Sequence, residues 1–175
     1  PVTAAHALQF NVGDAVLAVY GNSNEYVFNL GAISGLNGVD RDLSAILPSI
    51  GPVANLSYTI FGYTGTTNSS NVLFGNADDR NAWASGDQNS NTPGTLIGAL
   101  VGWKGSLSIA GDARTIFPQN DALSFSTVLN NAGDNTLGGN INSAHTSASN
   151  INVVLNLLEQ TKTGNVLTQF GTATL

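Results

Sequence analysis

The sequence predicts a mainly β fold, an antiparallel β-sandwich of jelly-roll type carrying one or two short helices. Three observations point there. Hydrophobic residues make up 42% of the 175 and charged residues only 9%, against roughly a quarter charged in an average soluble domain. Polarity comes instead from neutral hydrogen-bonding residues, with Asn, Ser, Thr and Gly together about two-fifths of the chain. Finally, short runs rich in Val, Leu, Ile, Tyr and Phe recur between Gly, Asn, Asp and Ser turns, the pattern of strands joined by tight connections. A chain of this length suits a single domain.

The elements follow in order. Val12 to Tyr20 and Glu25 to Leu30 read as two strands joined by the turn Gly21-Asn-Ser-Asn24. Alternation in the second run sets Tyr26 and Phe28 against Val27 and Asn29. Between Val39 and Ile50 a short helix is expected, capped by Asp40 or Asp42, with Leu43, Ile46 and Leu47 on one face and Pro48 as its stop. Asn55 to Tyr63 alternates Leu56, Tyr58 and Ile60 against Ser57, Thr59 and Phe61, a strand; Asn71 to Gly75 and Asn81 to Ser85 continue it as a meander. Thr95 to Ala110 has two readings. Leu96, Leu100 and Trp103 stand at helical spacing with Pro93 near a first turn, but Gly98, Gly102 and Gly105 disfavour a helix by up to ~1 kcal/mol each, leaving a strand pair as the alternative. Arg114 to Phe117 and Ala122 to Leu129 read as strands, and Ser149 to Glu159 with Asn165 to Leu175 as a terminal hairpin about Gln160 to Gly164.

Composition excludes several functions. Five Lys and Arg against eleven Asp and Glu give a net charge of −6, the wrong sign for neutralising phosphates, so nucleic acid is not an expected partner. With no cysteine, thiolate zinc sites, disulfides and cysteine nucleophiles are ruled out. No apolar run reaches the ~18 residues of a membrane helix. Ala5-His6-Ala7 has the small-x-small form of a signal-peptidase site, so residues 1–7 read as the end of an export signal and 8–175 as one β-rich domain; the competing reading is a small-residue tail.

Catalytic constellations are not evident. His145 sits in a Ser/Ala/Asn loop without a nearby acid, and neither a G-x-S-x-G elbow nor an H-E-x-x-H is present. Adjacent carboxylates such as Asp78 and Asp79 point to opposite faces of a strand, which does not suit a glycosidase pair. Asp87 to Asn91 begins like an EF-hand loop, but Thr92 and Gly98 replace the required Gly and Glu; a looser calcium site from Asp78, Asp79 and Asp87 is the only cofactor expectation. Trp83, Trp103 and Tyr63 are candidate platforms for a glycan, since an aromatic face buries sugar C–H surface while Asn and Gln bond the hydroxyls; the alternative for such residues is the core.

Assembly is the stronger expectation. Strands with little charge and almost no Pro lack the devices that block edge pairing. The segment from Leu8 through Phe10, Val12, Val16 and Val19 to Tyr20 is the candidate assembly strand, able to add to a neighbouring subunit's sheet; the alternative is a strand at the edge of its own sheet.

The opening AHALQFNVGDAVLAVYGNSNEYVFNLG and the closing TKTGNVLTQFGTATL resemble the two ends of secreted proteobacterial proteins of the PEP-CTERM, exosortase-sorted class, although the Pro-Glu-Pro motif of that class is not among the 175 residues. The resemblance covers about a quarter of the chain. It implies an exported surface or matrix protein, often linked to exopolysaccharide and biofilm, and carries over no catalytic residue. The functional expectation is therefore a secreted, enzymatically inactive structural protein that self-associates through strand edges into a homo-oligomer or polymer, in a filament or biofilm matrix. A carbohydrate-binding module, calcium-assisted or not, is the alternative.

Overall fold

The structure is a computed structural model that describes residues 9–21, 23–65, 71–76, 91–110, 114–128, 149–150, 154–161 and 167–175. Its strands are β1 (Asp14–Tyr20), β2 (Asn24–Ala32), β3 (Val39–Asp40), β4 (Ser57–Tyr63), β5 (Asn71–Asn76), β6 (Ile116–Pro118), β7 (Ser149–Asn150), β8 (Leu155–Thr161) and β9 (Leu167–Thr174). The α-helices among the described residues are α1 (Leu47–Ile50), α2 (Asn91–Ala110) and α3 (Phe125–Val128). The protein is mainly β and sandwich-like, as the sequence predicts.

Hydrogen bonding runs in the order β3-β9-β8-β5-β4-β1-β2-β6, with β7 against β4. All of these pairings are antiparallel except β3 with β9, which is parallel. The order folds over at β4. There Ser57 and Tyr58 pair with β7, and only Phe61, Gly62 and Tyr63 pair with β5. From that point β5, β8, β9 and β3 form a second layer beneath β6, β2, β1 and β4. The fold-over is fixed by Tyr58, whose hydroxyl donates to the carbonyl of Ala173 at 3.0 Å. In a flat sheet those strands would stand roughly 14 Å apart, beyond a tyrosine's reach.

β1 explains why the layers hold. Its period of two sends Ala15, Leu17 and Val19 into the core between the layers and Val16, Ala18 and Tyr20 to the other face, and all six are buried. Leu56, Tyr58 and Ile60 join the inner core, while Phe61 and Tyr63 lie outside it. Over that outer face lies α2, placing Ile97, Leu100, Trp103 and Leu107 at a helical repeat on the sheet. Trp103 packs against Phe10 and Phe61, with ring centroids 5.5 and 6.1 Å apart, and its Nε1 donates to the Leu123 carbonyl at 2.8 Å. The helical reading of residues 95–110 is the one the fold adopts, extended to 20 residues from Asn91. Gly98, Gly102 and Gly105 are tolerated on its exposed side.

Two expectations require correction. The expected strand Ala122 to Leu129 is not formed over its described residues, 122–128: the Ser124 hydroxyl accepts from the Thr127 N–H as an N-cap, Asp121 accepts from the Leu123 N–H, and α3 follows. Here side-chain capping overrides β-propensity. In the region 39–50, Val39 and Asp40 form β3, Asp42 accepts from the N–H and hydroxyl of Ser44 in a turn, and Pro48 stands in the first turn of α1 instead of ending it. The candidate strand Asn81 to Ser85 lies outside the described residues.

Candidate functional site

The two ends of the strand order meet at a seam. The link from β2 to β3 crosses between the layers, and Arg41, just past β3, donates its main-chain N–H to the Thr174 carbonyl of β9 at 3.3 Å. Its guanidinium reaches the other layer, lying 3.6 Å from the ring centroid of Phe28 and donating to the Tyr26 hydroxyl at 3.0 Å. A glycine is required where the crossing passes β9, because a Cβ on Gly171 would fall 2.6 Å from the Asn37 carbonyl oxygen.

Each side of the seam is a long strand with a short one outside it. β2 has nine residues, but β6 covers only Asn24, Glu25 and Tyr26. β9 has eight, but β3 covers only Ala173 and Thr174. Along Phe28 to Ala32 and Leu167 to Phe170 the outer side of the ladder carries no strand partner among the described residues. Neither stretch contains a charged residue or a proline, and charge and proline are two of the usual means by which edges are protected. A bulge between β1 and β2 at Ala15 and Val16 twists the β2 edge, and the Asn29 side chain covers part of it by accepting from the Gly31 N–H at 2.8 Å.

The proposed assembly strand lies elsewhere. β1 pairs with β2 on one side and β4 on the other, so it is central in its own sheet and has no edge to donate. Val16 and Val19 are buried on opposite faces, Phe10 is buried against Trp103, and Val12 is exposed in the turn before β1. Residues 9–13 are pinned on their own domain: Asn29 Nδ2 donates to the Gln9 carbonyl and to Asp14 Oδ2, both at 2.9 Å. Leu8 lies outside the described residues.

The aromatic platform also needs correction. Trp103 and Tyr63 are each 1% exposed, so neither presents a ring face to a sugar; both fill the core over the outer face of the first layer. Trp83, Asp78, Asp79, Asp87 and His145 lie outside the described residues. Among the described residues no three His, Asp or Glu side chains gather as metal ligands, and no helix is long and apolar enough to cross a membrane.

Sequence reasoning passed over Glu25. Its carboxylate is buried beneath α3, accepting from the Phe125 N–H, from the Ser126 N–H at 3.0 Å and from the Ser126 hydroxyl at 2.6 Å. Burial raises its pKa above the ordinary glutamate value, those hydrogen bonds oppose the rise, and the charge of Asp121 adds to it. Burial and the Glu25 charge likewise push up the pKa of the neighbouring Tyr20 phenol. Every oxygen contact of Glu25 goes to the backbone or hydroxyl of α3, so the group is a tether between layer and helix. The available signal was an acid between Asn24 and Tyr26 in a strand, in a chain with few acids.

Comparison with protein-family models, with curated proteins and with solved structures returned no match. The site's chemistry rests on its own geometry.

Proposed function

We propose that this is a structural protein of an extracellular filament or biofilm matrix, exported and without catalytic activity, whose copies associate through the open strand edges at the seam. The observation that carries this reading is the mismatch in length between β2 and β9 and the strands that flank them, which leaves uncharged main-chain edges on both layers. Because both edges open at one seam, a two-fold partner can pair β2 with β9 and β9 with β2 together, an isologous contact that continues both layers. Export is supported by the Ala5-His6-Ala7 pattern and by a cysteine-free, charge-poor composition. Low charge also weakens the repulsion that keeps copies apart.

Amide hydrogen exchange tests the contact. Concentrated protein should show slowed exchange along Phe28 to Ala32 and Leu167 to Phe170 relative to dilute protein, with β1 and β4 unchanged. Equal exchange at both concentrations in those two stretches contradicts it.

A further inference from the structure

At the far end of β2 from the seam's open stretch, an open trough of about 620 Å³ lies between the β1–β2 turn, the α1 segment and the end of β6. Its polar wall is formed by Ser23, Asn24, Ser49 and Gln119, and Pro48 and Pro52 supply C–H surface. None of its lining residues is charged. The acids nearest along the chain are both engaged elsewhere: Glu25 is buried and accepts from the Phe125 and Ser126 N–H groups, and Asp121 has one oxygen 2.7 Å from Arg114 and the other accepting from the Leu123 N–H.

The trough is built before any ligand arrives. Asn24 Nδ2 donates to the Ser49 carbonyl at 2.9 Å, tying β2 to α1, and the Gln119 N–H donates to the Ser23 carbonyl at 2.9 Å, tying β6 to the turn. Gly21 fits the turn against the following wall because a Cβ there would lie 1.9 Å from the Asn55 carbonyl oxygen, and its φ of +131° suits glycine alone. Three separate chain segments are thus locked in register around one opening, the preorganisation that lets a modest site bind without an ordering cost.

Its chemistry selects a ligand class. Amides and hydroxyls each offer a donor and an acceptor, matching the adjacent hydroxyls of a sugar, whereas an anion or cation would lose its hydration without gaining a counter-charge. The volume falls within the usual range for small-ligand sites, roughly 300–1,000 Å³, and the open form admits the interior of a chain as well as its end. We infer that this trough is a binding site for a neutral, hydroxyl-rich glycan segment. It stands apart from the seam, so self-association and glycan binding can fail separately.

The test is titration of the folded protein with maltohexaose and cellohexaose, with hexagalacturonate as the charged control, followed by calorimetry and amide chemical shifts. At least one neutral oligosaccharide should bind in the ~10 µM to ~1 mM range, shifting residues of the trough, and the charged control should bind at least about tenfold more weakly. Gln119→Ala removes one amide and should weaken binding about tenfold; Ser49→Arg, at an exposed position, should abolish it by filling the trough. Circular dichroism and sedimentation should show both variants folded and associating as the parent does. Absence of neutral-glycan binding up to about 10 mM, preference for the charged control, or binding indifferent to both variants would overturn the inference.

Discussion

The hydroxyl of Tyr58, on the fourth strand, donates to the main-chain carbonyl of Ala173, on the ninth. Three steps of the strand order separate the two, so this bond exists only because the sheet has folded onto itself. Both residues are fully buried, and the Ala173 carbonyl loses this partner if the hydroxyl is removed. Tyr58→Phe should therefore destabilise the protein by about 1–2 kcal/mol, read as a lower denaturation midpoint with an unchanged denaturant slope.

The same burial makes the phenols a reporter of folding. The Tyr58 hydroxyl is pushed up to about 12, chiefly by burial with a backbone hydrogen bond from Leu155 in opposition, and Tyr20, Tyr26 and Tyr63 are raised too. These are all four tyrosines of the chain. Tyrosinate absorbance at pH 10.0, the ordinary midpoint, should be lower in folded protein than in urea, where it is half-developed. For a phenol raised on folding, the linked stability is present below the ordinary value and is lost as pH climbs through the folded one.

Glu25 gives the acid-side counterpart. Burial raises its folded pKa above 4.5, so the stability linked to its titration is present below 4.5 and falls away as pH rises through the elevated value. As pH rises above 4.5, wild type should lose stability relative to Glu25→Gln, whose side chain does not titrate. Glu25→Ala should cost about 2–3 kcal/mol by leaving the Phe125 and Ser126 N–H groups without their acceptor. Parallel pH profiles for wild type and the glutamine variant would contradict the assignment.

Gly98, Gly102 and Gly105 lie on the exposed side of α2, and a Cβ at any of them would meet nothing within 4 Å. Each substitution to alanine should stabilise the protein by up to ~1 kcal/mol, the helix-propensity difference with no packing penalty. A loss of thermal stability in any of the three would show that the helix face is used.

Buried Thr59 offers a gain of another kind. It is 2% exposed, and its hydroxyl oxygen has no hydrogen-bond partner among the described residues. Thr59→Val keeps the shape and removes the desolvated hydroxyl, so it should raise stability by about 1 kcal/mol. A drop of similar size would mean that the hydroxyl is satisfied.

Much of the fold was legible because its period is local. Alternation in β1, β2 and β4 survives in the structure, with Tyr26 and Phe28 facing the inner core and Val27 the outer one. Residues 122–128 depart from the strand expectation because Ser124 caps its own helix and Glu25, about a hundred residues earlier, accepts the first N–H groups of that helix; no local pattern encodes that meeting. The functional residues were harder still. Phe10, Trp103 and Tyr63 are chemically versatile side chains, and only the packing of α2 on β1 and β4 shows that all three belong to the core. Edge status is likewise a property of strand order: the composition of β1 suits an edge or a centre equally, and its two flanking ladders decide for the centre.

Sedimentation velocity across a concentration series tests the seam most directly. Open stretches of only a few residues on each edge imply a contact near or below the ~1,000 Å² of a stable interface, so association should be weak and visible from about 100 µM upward. Wild type should shift from the 18.0 kDa monomer toward a dimer and larger species, and Ala32→Lys, which places a charge on the β2 edge, should suppress that shift without lowering stability. A single monomeric species at every concentration, or association untouched by the lysine, would contradict self-association through these edges.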